Sequence, residues 1–279
     1  MAYTSGDHYT DLQPFYKQLS SGAAIHLPLW LPKVETPEQA NRAALQLMAD
    51  RARPKQGSYI LDAGCGLGTA AVWIAETFGA RVLGVSNSEA NIRHCSEIAR
   101  SRGVANLVEF RVADLMQEFE RENVFDGIWS LESLNYLCPK ATFIRSAYRM
   151  LKPGGTWLCM DRFLDFHRCA PDISSRLKRP LTTGFYTPEH WEGAMDLLAE
   201  ARAAGFIEDS YLDLTDAVLD LPRRRRAKLI DMNRALLASL SHPRSYLSLY
   251  RGFRVIRSSY QLMQKGMMTY GLFTASKPA

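Results

Sequence analysis

The chain has 279 residues, of which 47% are hydrophobic and 23% are charged, so it can bury the core of one large domain or of a domain with a lid. No segment has the apolar length of a membrane span, and residues 1–20 contain no apolar core of a signal peptide. The formal net charge of +5 is small for this length and does not indicate a nucleic-acid partner.

The cysteines and histidines argue against disulfides and metal sites. Five cysteines are scattered along the chain without CxxC pairs, and the six histidines lack the spacing of metal ligands. This pattern is typical of reduced thiols in a cytoplasmic enzyme. We therefore expect a cytoplasmic protein without a bound metal.

Residues 1–50 precede the first predicted strand and form an N-terminal arm with a high aromatic and apolar content. Thr36 and Pro37 predict the start of a helix, with Thr36 as the N-cap and Pro37 in the first turn. The arm could cover an edge of a sheet or form a lid over a substrate pocket, and both interpretations stay open.

A glycine-rich loop follows the first predicted strand. An apolar run over 59–61 ends in Asp62, and three glycines then stand at alternate positions before a helical pattern over 69–78: Gly64, Gly66 and Gly68. Glycines allow a sharp turn and the close approach of a ligand. The unpaired N–H groups at the start of the helix favour a carboxylate or a phosphate. This stretch therefore predicts a strand–loop–helix ligand site.

Strand and helix patterns alternate after this loop. We predict strands over 58–61, 81–85, 107–112, 125–130 and 156–160, and helices over 69–78, 88–102 and 143–151. Pro153 and Gly154 predict the end of the last helix. Such alternation implies right-handed crossovers, a parallel sheet, and ligand binding at the carboxyl ends of the strands.

The C-terminal part is less regular. We predict a loop-rich stretch over 162–187, helices over 188–204, 223–241 and 251–264, and strands over 206–214 and 267–275. Four arginines, Arg223 to Arg226, start the second of these helices. Such a run is typical of a solvated helix start, and the alternative is a contact for an anionic substrate or partner.

The spacing D-x-G-x-G-x-G from Asp62 to Gly68 resembles motif I of the class I S-adenosylmethionine (SAM) methyltransferases. The stretches VADL at 112–115 and LKPGG at 151–155 resemble two further motifs of that family. The resemblance implies a Rossmann-like α/β fold and SAM as the cofactor. It also implies a methyltransferase domain over 51–279 that carries a substrate-lid insertion over about 162–260, with residues 1–50 as an arm or lid.

The same resemblance implies which residues contact SAM: Asp62, Gly64, Cys65, Gly66, Gly68, Asn87, Asn91, Asp114, Leu115 and Leu131. Asp62 and the glycine loop would serve the methionine end, and Asp114 the exocyclic amine of adenine. Asp62 could also cap the helix that follows. Many members have an acid at the end of strand two, and this chain has none there. A subgroup uses a polar residue one turn into the next helix, where Asn91 stands with Asn87 nearby.

Glu132 follows the fourth strand and resembles an acid of this subgroup, which includes sterol, mycolic-acid, tocopherol and prenyl diphosphate C-methyltransferases. In members that methylate alkenes, that acid faces a carbocation. Members that methylate oxygen share it, so Glu132 does not separate the two reactions. A contact with SAM or a structural hydrogen bond is the alternative role of Glu132.

Further side chains are candidates for chemistry or for the acceptor pocket. Tyr136 and Tyr16 join Glu132 as catalytic candidates, and the substrate-binding candidates are His26, Arg162, Phe163, His167, Tyr186 and Tyr246. Phe166 and Trp191 are additional aromatic candidates for the wall of the pocket. For oxygen or nitrogen methylation, the candidate bases are His26, His167 and His190.

The acceptor is a small molecule, and two resemblances point to different kinds. The stretch YLDLT at 211–215 resembles a region of geranyl diphosphate C-methyltransferase and favours an isoprenoid methylated on carbon. A diphosphate would call for Mg²⁺ and for basic residues at the mouth of the pocket: Arg162, Arg168, Lys178 and Arg179. The stretch 22–30 resembles the arm of polyketide tailoring enzymes.

An isoprenoid methylated on carbon, with Glu132 stabilising the developing cation, is therefore the acceptor that we expect, and two alternatives stay open beside it. Oxygen or nitrogen methylation would act on a polyketide, a sugar or a phenolic natural product. A SAM-binding cyclase or a binding module would not transfer the methyl group at all. The sequence is also compatible with a homo-oligomer.

Overall fold

A computed structural model describes residues 7, 10–11, 26–117, 122–164, 191–219 and 243–279. Its strands are β1 (Tyr59–Ala63), β2 (Arg81–Ser86), β3 (Val108–Val112), β4 (Phe125–Leu131), β5 (Leu151–Leu164), β6 (Ile207–Asp213) and β7 (Met268–Ser276). Its helices are α1 (Pro37–Ala52), α2 (Thr69–Phe78), α3 (Glu89–Ser101), α4 (Lys140–Met150), α5 (Ala194–Ala203), α6 (Thr215–Leu219) and α7 (Pro243–Gln264). A short 3₁₀ helix spans Leu134–Tyr136.

The strands form one seven-stranded sheet in the order β3-β2-β1-β4-β5-β7-β6. Strands β1 to β5 are parallel, whereas β7 lies antiparallel between β5 and β6. The carboxyl ends of the five parallel strands therefore meet at one edge, with a crossover between β1 and β4 at the centre. The predicted Rossmann-like α/β fold is confirmed.

Apolar side chains pack on both faces of the sheet. One face is covered by α1, α2, α6 and α7 together with Leu27 and Leu29 of the arm, and the other by α4 and α5. Leu27 and Leu29 of the arm thus belong to the core. Leu29 is fully buried, and its amide donates to Ala40 O in α1 at 3.0 Å.

Local sequence explains where several helices begin. Thr36 and Gln39 form a capping box at the start of α1, with Pro37 in its first turn as predicted. Ser88 caps α3 by accepting from the Asn91 amide. At α5, the Asp196 side chain accepts from the Gly193 amide, so the helix starts at Ala194 rather than at the predicted residue 188.

Two other predicted boundaries were wrong. Strand β5 begins at Leu151 and runs to Leu164, so it contains the LKPGG stretch as well as Arg162 and Phe163, which were predicted as the start of a loop. Antiparallel pairing with β7, as far as Leu164 opposite Met268, extends the strand. Helix α7 starts at Pro243 instead of residue 251. The helix predicted over 223–241 lies outside the described residues.

Among the described residues, no helix is both long and apolar enough to cross a membrane. The described cysteines Cys65, Cys95, Cys138 and Cys159 are free thiols. Strand β6 lies within the range assigned to the lid, and it is the outer strand of the sheet.

The C-terminus is fastened by Lys277. Its Nζ donates to Asn123 Oδ1 at 2.8 Å and to the carbonyl oxygens of Tyr148 and Leu151 at 2.9 Å each. It also lies 4.8 Å from the centre of the Tyr148 ring. A cation at the carboxyl end of α4 satisfies carbonyls that have no partner within the helix.

We expect Lys277→Met to lower the free energy of unfolding by about 2 kcal/mol, because three acceptors lose a charged donor. Urea unfolding followed by circular dichroism measures this change. Lys265→Met is the matched control, since Lys265 is exposed just before β7. Equal stabilities of the two variants would contradict the role of Lys277.

Candidate functional site

The glycine loop (residues 64–68) turns the chain from β1 into α2. All three of its glycines have positive φ, +87° at Gly64, +52° at Gly66 and +75° at Gly68. The amides of Gly64 and Cys65 donate to Val85 O at 3.0 and 2.9 Å. The loop is thereby tied to the end of β2, and the start of α2 points to the carboxyl edge of the sheet.

Asp62 is the last residue but one of β1, just before this loop. Its carboxyl is buried, and burial raises its pKa from 3.8 to about 7, against a smaller lowering by a hydrogen bond from the Ala71 amide. Ala71 lies in the first turn of α2, but the N-cap of this helix is Gly68, so the alternative role of Asp62 as the N-cap is wrong. Asp62 Oδ2 accepts no hydrogen bond within the described part of the chain.

The residues proposed for the ribose and adenine of SAM lie along the ends of β2 and β3. Asn91 is buried, and its Oδ1 has no hydrogen-bond partner in the described ranges, whereas Asn87 is exposed. Asp114 is exposed, its Oδ1 accepts from the Met116 amide at 2.9 Å, and Leu115 beside it is buried.

These features suit a ligand that carries hydrogen-bond donors. Two buried acceptors, Asp62 Oδ2 and Asn91 Oδ1, lack partners among the described residues near a loop of left-handed glycines. The ammonium and ribose hydroxyls of SAM are donors of this kind. The fit of the individual residues to SAM is our proposal.

Glu132 follows β4 at the carboxyl edge, after the half-buried Leu131. Its φ of +50° is left-handed, which is uncommon for a residue with a side chain and recurs at functional sites. Its amide donates to Met160 O at 2.8 Å. Its carboxylate oxygen Oε1 accepts from the Tyr270 hydroxyl at 3.0 Å and also from the Leu27 amide.

Ser133 connects this acid to the glycine loop. Its Oγ donates to Ala63 O at 2.5 Å. A Cβ placed on Gly64 would lie 2.4 Å from Ser133 Cβ, far inside contact distance. The loop therefore contacts Ser133, the residue that follows the acid, and only glycine fits at position 64.

A buried polar cluster lies next to Glu132, at the end of β5. Asp161 is fully buried and accepts from Asn135 Nδ2 and from the Arg162 amide, both at 2.8 Å. Burial raises the pKa of Asp161 to about 6; Arg162 lowers it, and the Glu132 carboxylate raises it further. The Glu132 carboxylate thus opposes the ionisation of Asp161.

The other predicted site residues lie in different environments. The side chain of His26 is half-buried, with Nδ1 3.2 Å from Leu27 O, so His26 lies beside the amide that binds Glu132. Arg162 is buried, with its guanidinium 5.5 Å from the Trp191 ring and 3.5 Å from Ser259 Oγ. Arg162 is therefore not at an open pocket mouth.

Phe163 packs against Tyr211, with 5.3 Å between the centres of the two rings. This pair lies on the sheet face opposite to Tyr270. Tyr136 is half-buried against the core, and Tyr246 is 39% exposed on α7. Several predicted residues lie outside the described part of the chain, so their roles stay predictions: Tyr16, Phe166, His167, Arg168, Lys178, Arg179, Tyr186, His190 and Arg223 to Arg226.

The sequence interpretation missed Tyr270, Ser133 and Asp161. The alternation of Met268, Tyr270 and Leu272 could have indicated a tyrosine on a buried strand face, where its hydroxyl needs a partner. No group of three or more potential metal ligands occurs among the residues that the structure describes.

Comparisons with known proteins agree with this fold and site. A family model described as a methyltransferase domain matches residues 60–155. O-methyltransferase cnsE of Penicillium expansum is 31% identical over 219 residues, which cover 74% of this chain and 75% of that protein. Erythromycin 3''-O-methyltransferase of Saccharopolyspora erythraea is 27% identical over 210 residues, 74% of this chain and 69% of that protein.

Among solved structures, the [4+2]-cyclase SpnF superposes with a TM-score of 0.76 at 25% identity, covering 100% of this chain and 98% of that one. The fold and the glycine loop define a cofactor-binding α/β enzyme. The chain belongs to the class I SAM-dependent methyltransferases, and it is a methyltransferase of the small-molecule, natural-product type with SAM as cofactor.

Asp62→Asn tests the buried acid through stability. As the pH rises from about 4 to about 7, Asp62 ionises in the unfolded chain but keeps its proton in the folded one, so folding stability without SAM falls. The variant escapes this loss, and its stability relative to wild type should grow across that window. We also expect it to bind SAM more weakly, because it lacks the charge for the ammonium group.

Urea unfolding at pH 4, 5.5 and 8 measures the first effect, and titration calorimetry the second. Asp50→Asn is the control, because Asp50 is exposed on α1. A stability difference between Asp62→Asn and wild type that does not change with pH would contradict the shifted pKa.

Gly64→Ala tests the contact between the loop and Ser133. We expect a loss of SAM affinity of at least about tenfold, because the new Cβ must displace Ser133. Gly103→Ala is the control: φ there is +73°, but no atom lies within 4 Å of the added Cβ, so only the left-handed strain of about 1 kcal/mol is introduced. Equal SAM affinities of the two variants, measured by calorimetry, would rule out the steric explanation.

Proposed function

We propose that this enzyme methylates a hydroxyl oxygen of a small-molecule natural product. The observation that carries the proposal is the hydrogen bond from the Leu27 amide to Glu132 at the carboxyl end of β4, because Leu27 directly follows His26 in the chain. The names of the relatives support it, because cnsE is an O-methyltransferase and the Saccharopolyspora enzyme is an erythromycin 3''-O-methyltransferase. When bound, SAM supplies an electrophilic methyl group on a sulfonium sulfur.

His26 is the base in this proposal. A hydroxyl oxygen must lose its proton as it becomes a nucleophile, and a neutral imidazole near pH 7 is suited to accept that proton. If Nδ1 carries the hydrogen and donates to Leu27 O, then Nε2 is the basic nitrogen. The peptide unit between His26 and Leu27 thus links the base in the arm to the acid, because its N–H donates to Glu132.

Glu132 orients the acceptor in this proposal. Its Oε1 already accepts two hydrogen bonds, while Oε2 accepts none from the described residues and can receive one from an acceptor hydroxyl. Holding the oxygen in line with the methyl group supplies much of the acceleration in such reactions. The carboxylate also stabilises the positive charge that develops on the acceptor.

Carbon methylation of an isoprenoid is the second candidate. It is favoured by a carboxylate that is fixed in place at the strand end beside the fully buried Met160 and Tyr270, where it could face a carbocation. Because Arg162 is already engaged with Asp161, Trp191 and Ser259, a diphosphate with Mg²⁺ would need other basic residues. The predicted ones lie outside the described part of the chain.

An assay with ¹³C-methyl SAM separates the candidates. One panel holds hydroxylated polyketides, sugars and phenols, and the other holds prenyl diphosphates with and without Mg²⁺. The product's ¹³C shift distinguishes an O-methyl from a C-methyl group. For oxygen methylation, we expect His26→Gln to lower kcat roughly 10²–10³-fold with unchanged SAM affinity.

Labelled product only from the second panel, with full activity of His26→Gln and a large loss in Glu132→Gln, would replace the oxygen proposal by carbon methylation. SAM binding without labelled product from either panel would contradict both and favour a cyclase-like role. Rates at high salt give a further check, since a diphosphate acceptor makes turnover fall with ionic strength.

A further inference from the structure

The Glu132 carboxylate is held by two donors that come from opposite ends of the chain. The Leu27 amide is 105 residues away and the Tyr270 hydroxyl is 138 residues away, yet both donate to the same oxygen, Oε1. We propose that Tyr270 is a positioning residue that, together with the Leu27 amide, holds this carboxylate in one orientation towards the acceptor. The inference rests on the proposed function only in placing the acceptor beside Glu132.

Tyr270 is itself held rigidly. It is fully buried on β7, its amide donates to Thr215 Oγ1 at 3.0 Å, and its carbonyl accepts from the Leu214 amide at 2.7 Å. Burial and the neighbouring Glu132 carboxylate raise the pKa of its hydroxyl, so the hydroxyl keeps its proton and remains a donor.

Helix α6 is hydrogen-bonded both to the strand and to the arm that carry the two donors. Thr215 at its start accepts from Tyr270, while Ala217, two residues on, accepts from the Trp30 amide of the arm at 2.8 Å. The arm and β7 are thus anchored to the same five-residue helix. The spacing between the Leu27 amide and the Tyr270 hydroxyl is therefore fixed before any ligand binds.

Fixing this side chain matters because glutamate has three rotatable bonds. A free carboxylate would sample several rotamers, and each turnover would then carry the entropic cost of ordering the side chain. Two donors on Oε1 remove that freedom and leave Oε2 in a defined direction. Small errors in the placement of such a group cost rate rather than binding.

Tyr270→Phe tests the proposal by removing only the hydroxyl. With the acceptor that yields labelled product, we expect kcat to fall about tenfold, with the Kd for SAM and the acceptor KM within twofold of wild type. Tyr211→Phe is the matched control, because the Tyr211 hydroxyl donates to Thr269 Oγ1 at 2.6 Å on the adjoining strand and does not contact Glu132. It should retain the wild-type kcat.

Two further measurements separate positioning from a structural role. In a Glu132→Ala background, Tyr270→Phe should cause no additional loss of kcat, because the group that it positions is gone. Crystal structures with S-adenosylhomocysteine should show one Glu132 carboxylate orientation in wild type and several, or a rotated one, in Tyr270→Phe. This second measurement needs no acceptor, so it decides the inference even if the acceptor panels fail.

A Tyr270→Phe enzyme with wild-type kcat and an unchanged carboxylate would overturn the proposal. Equal losses of kcat in Tyr270→Phe and Tyr211→Phe would also overturn it, because they would show a general effect of losing a buried hydroxyl. An additive loss in the Glu132→Ala background would do the same.

Discussion

One hydrogen bond, from Ser133 Oγ to Ala63 O, joins the two halves of the site. It fastens the turn after β4 to the turn after β1, and the absence of a side chain at Gly64 lets the two backbones come this close. Parallel strands place their ends at one edge, but the spacing between neighbouring turns is set by such contacts. The distance from the glycine loop to Glu132, and hence the distance from the methyl donor to the acceptor in the proposed site, depends on it.

The half of the site that we propose for SAM and the half that we propose for the acceptor are built differently. The glycine loop, Asp62 and Asn91 come from two successive strand–helix units, so short-range turns position them. The acceptor half is assembled from the arm, β4, α6 and β7, which are far apart in sequence. Tertiary packing alone brings these parts together, and their geometry follows from the completed sheet.

This difference explains what could be predicted. The glycine loop and the strands of the parallel sheet can be predicted locally. The spacing of the glycines and the alternation of strand and helix patterns both appear within short stretches of the sequence. LKPGG predicts the end of a helix, yet Leu151 pairs with Phe125 of β4, and β7 pairs with Thr156 to Leu164, so the whole stretch lies in β5. Arg162 is a candidate for the pocket mouth because a diphosphate acceptor calls for basic residues there, whereas the structure buries it beside Asp161 and Trp191. No local pattern shows that Tyr270 meets Glu132.

The arm contributes to the acid through a main-chain N–H, that of Leu27. Every amino acid except proline supplies this group, so the identity of residue 27 carries almost no information about it. The side chain of Leu27 packs in the core, so position 27 can change only among residues that fit there, and the hydrogen bond persists through such changes. A scan of side-chain substitutions would therefore report the packing of Leu27 and not its hydrogen bond to Glu132. The contribution of that hydrogen bond would become visible only through backbone chemistry, such as replacement of the amide by an ester.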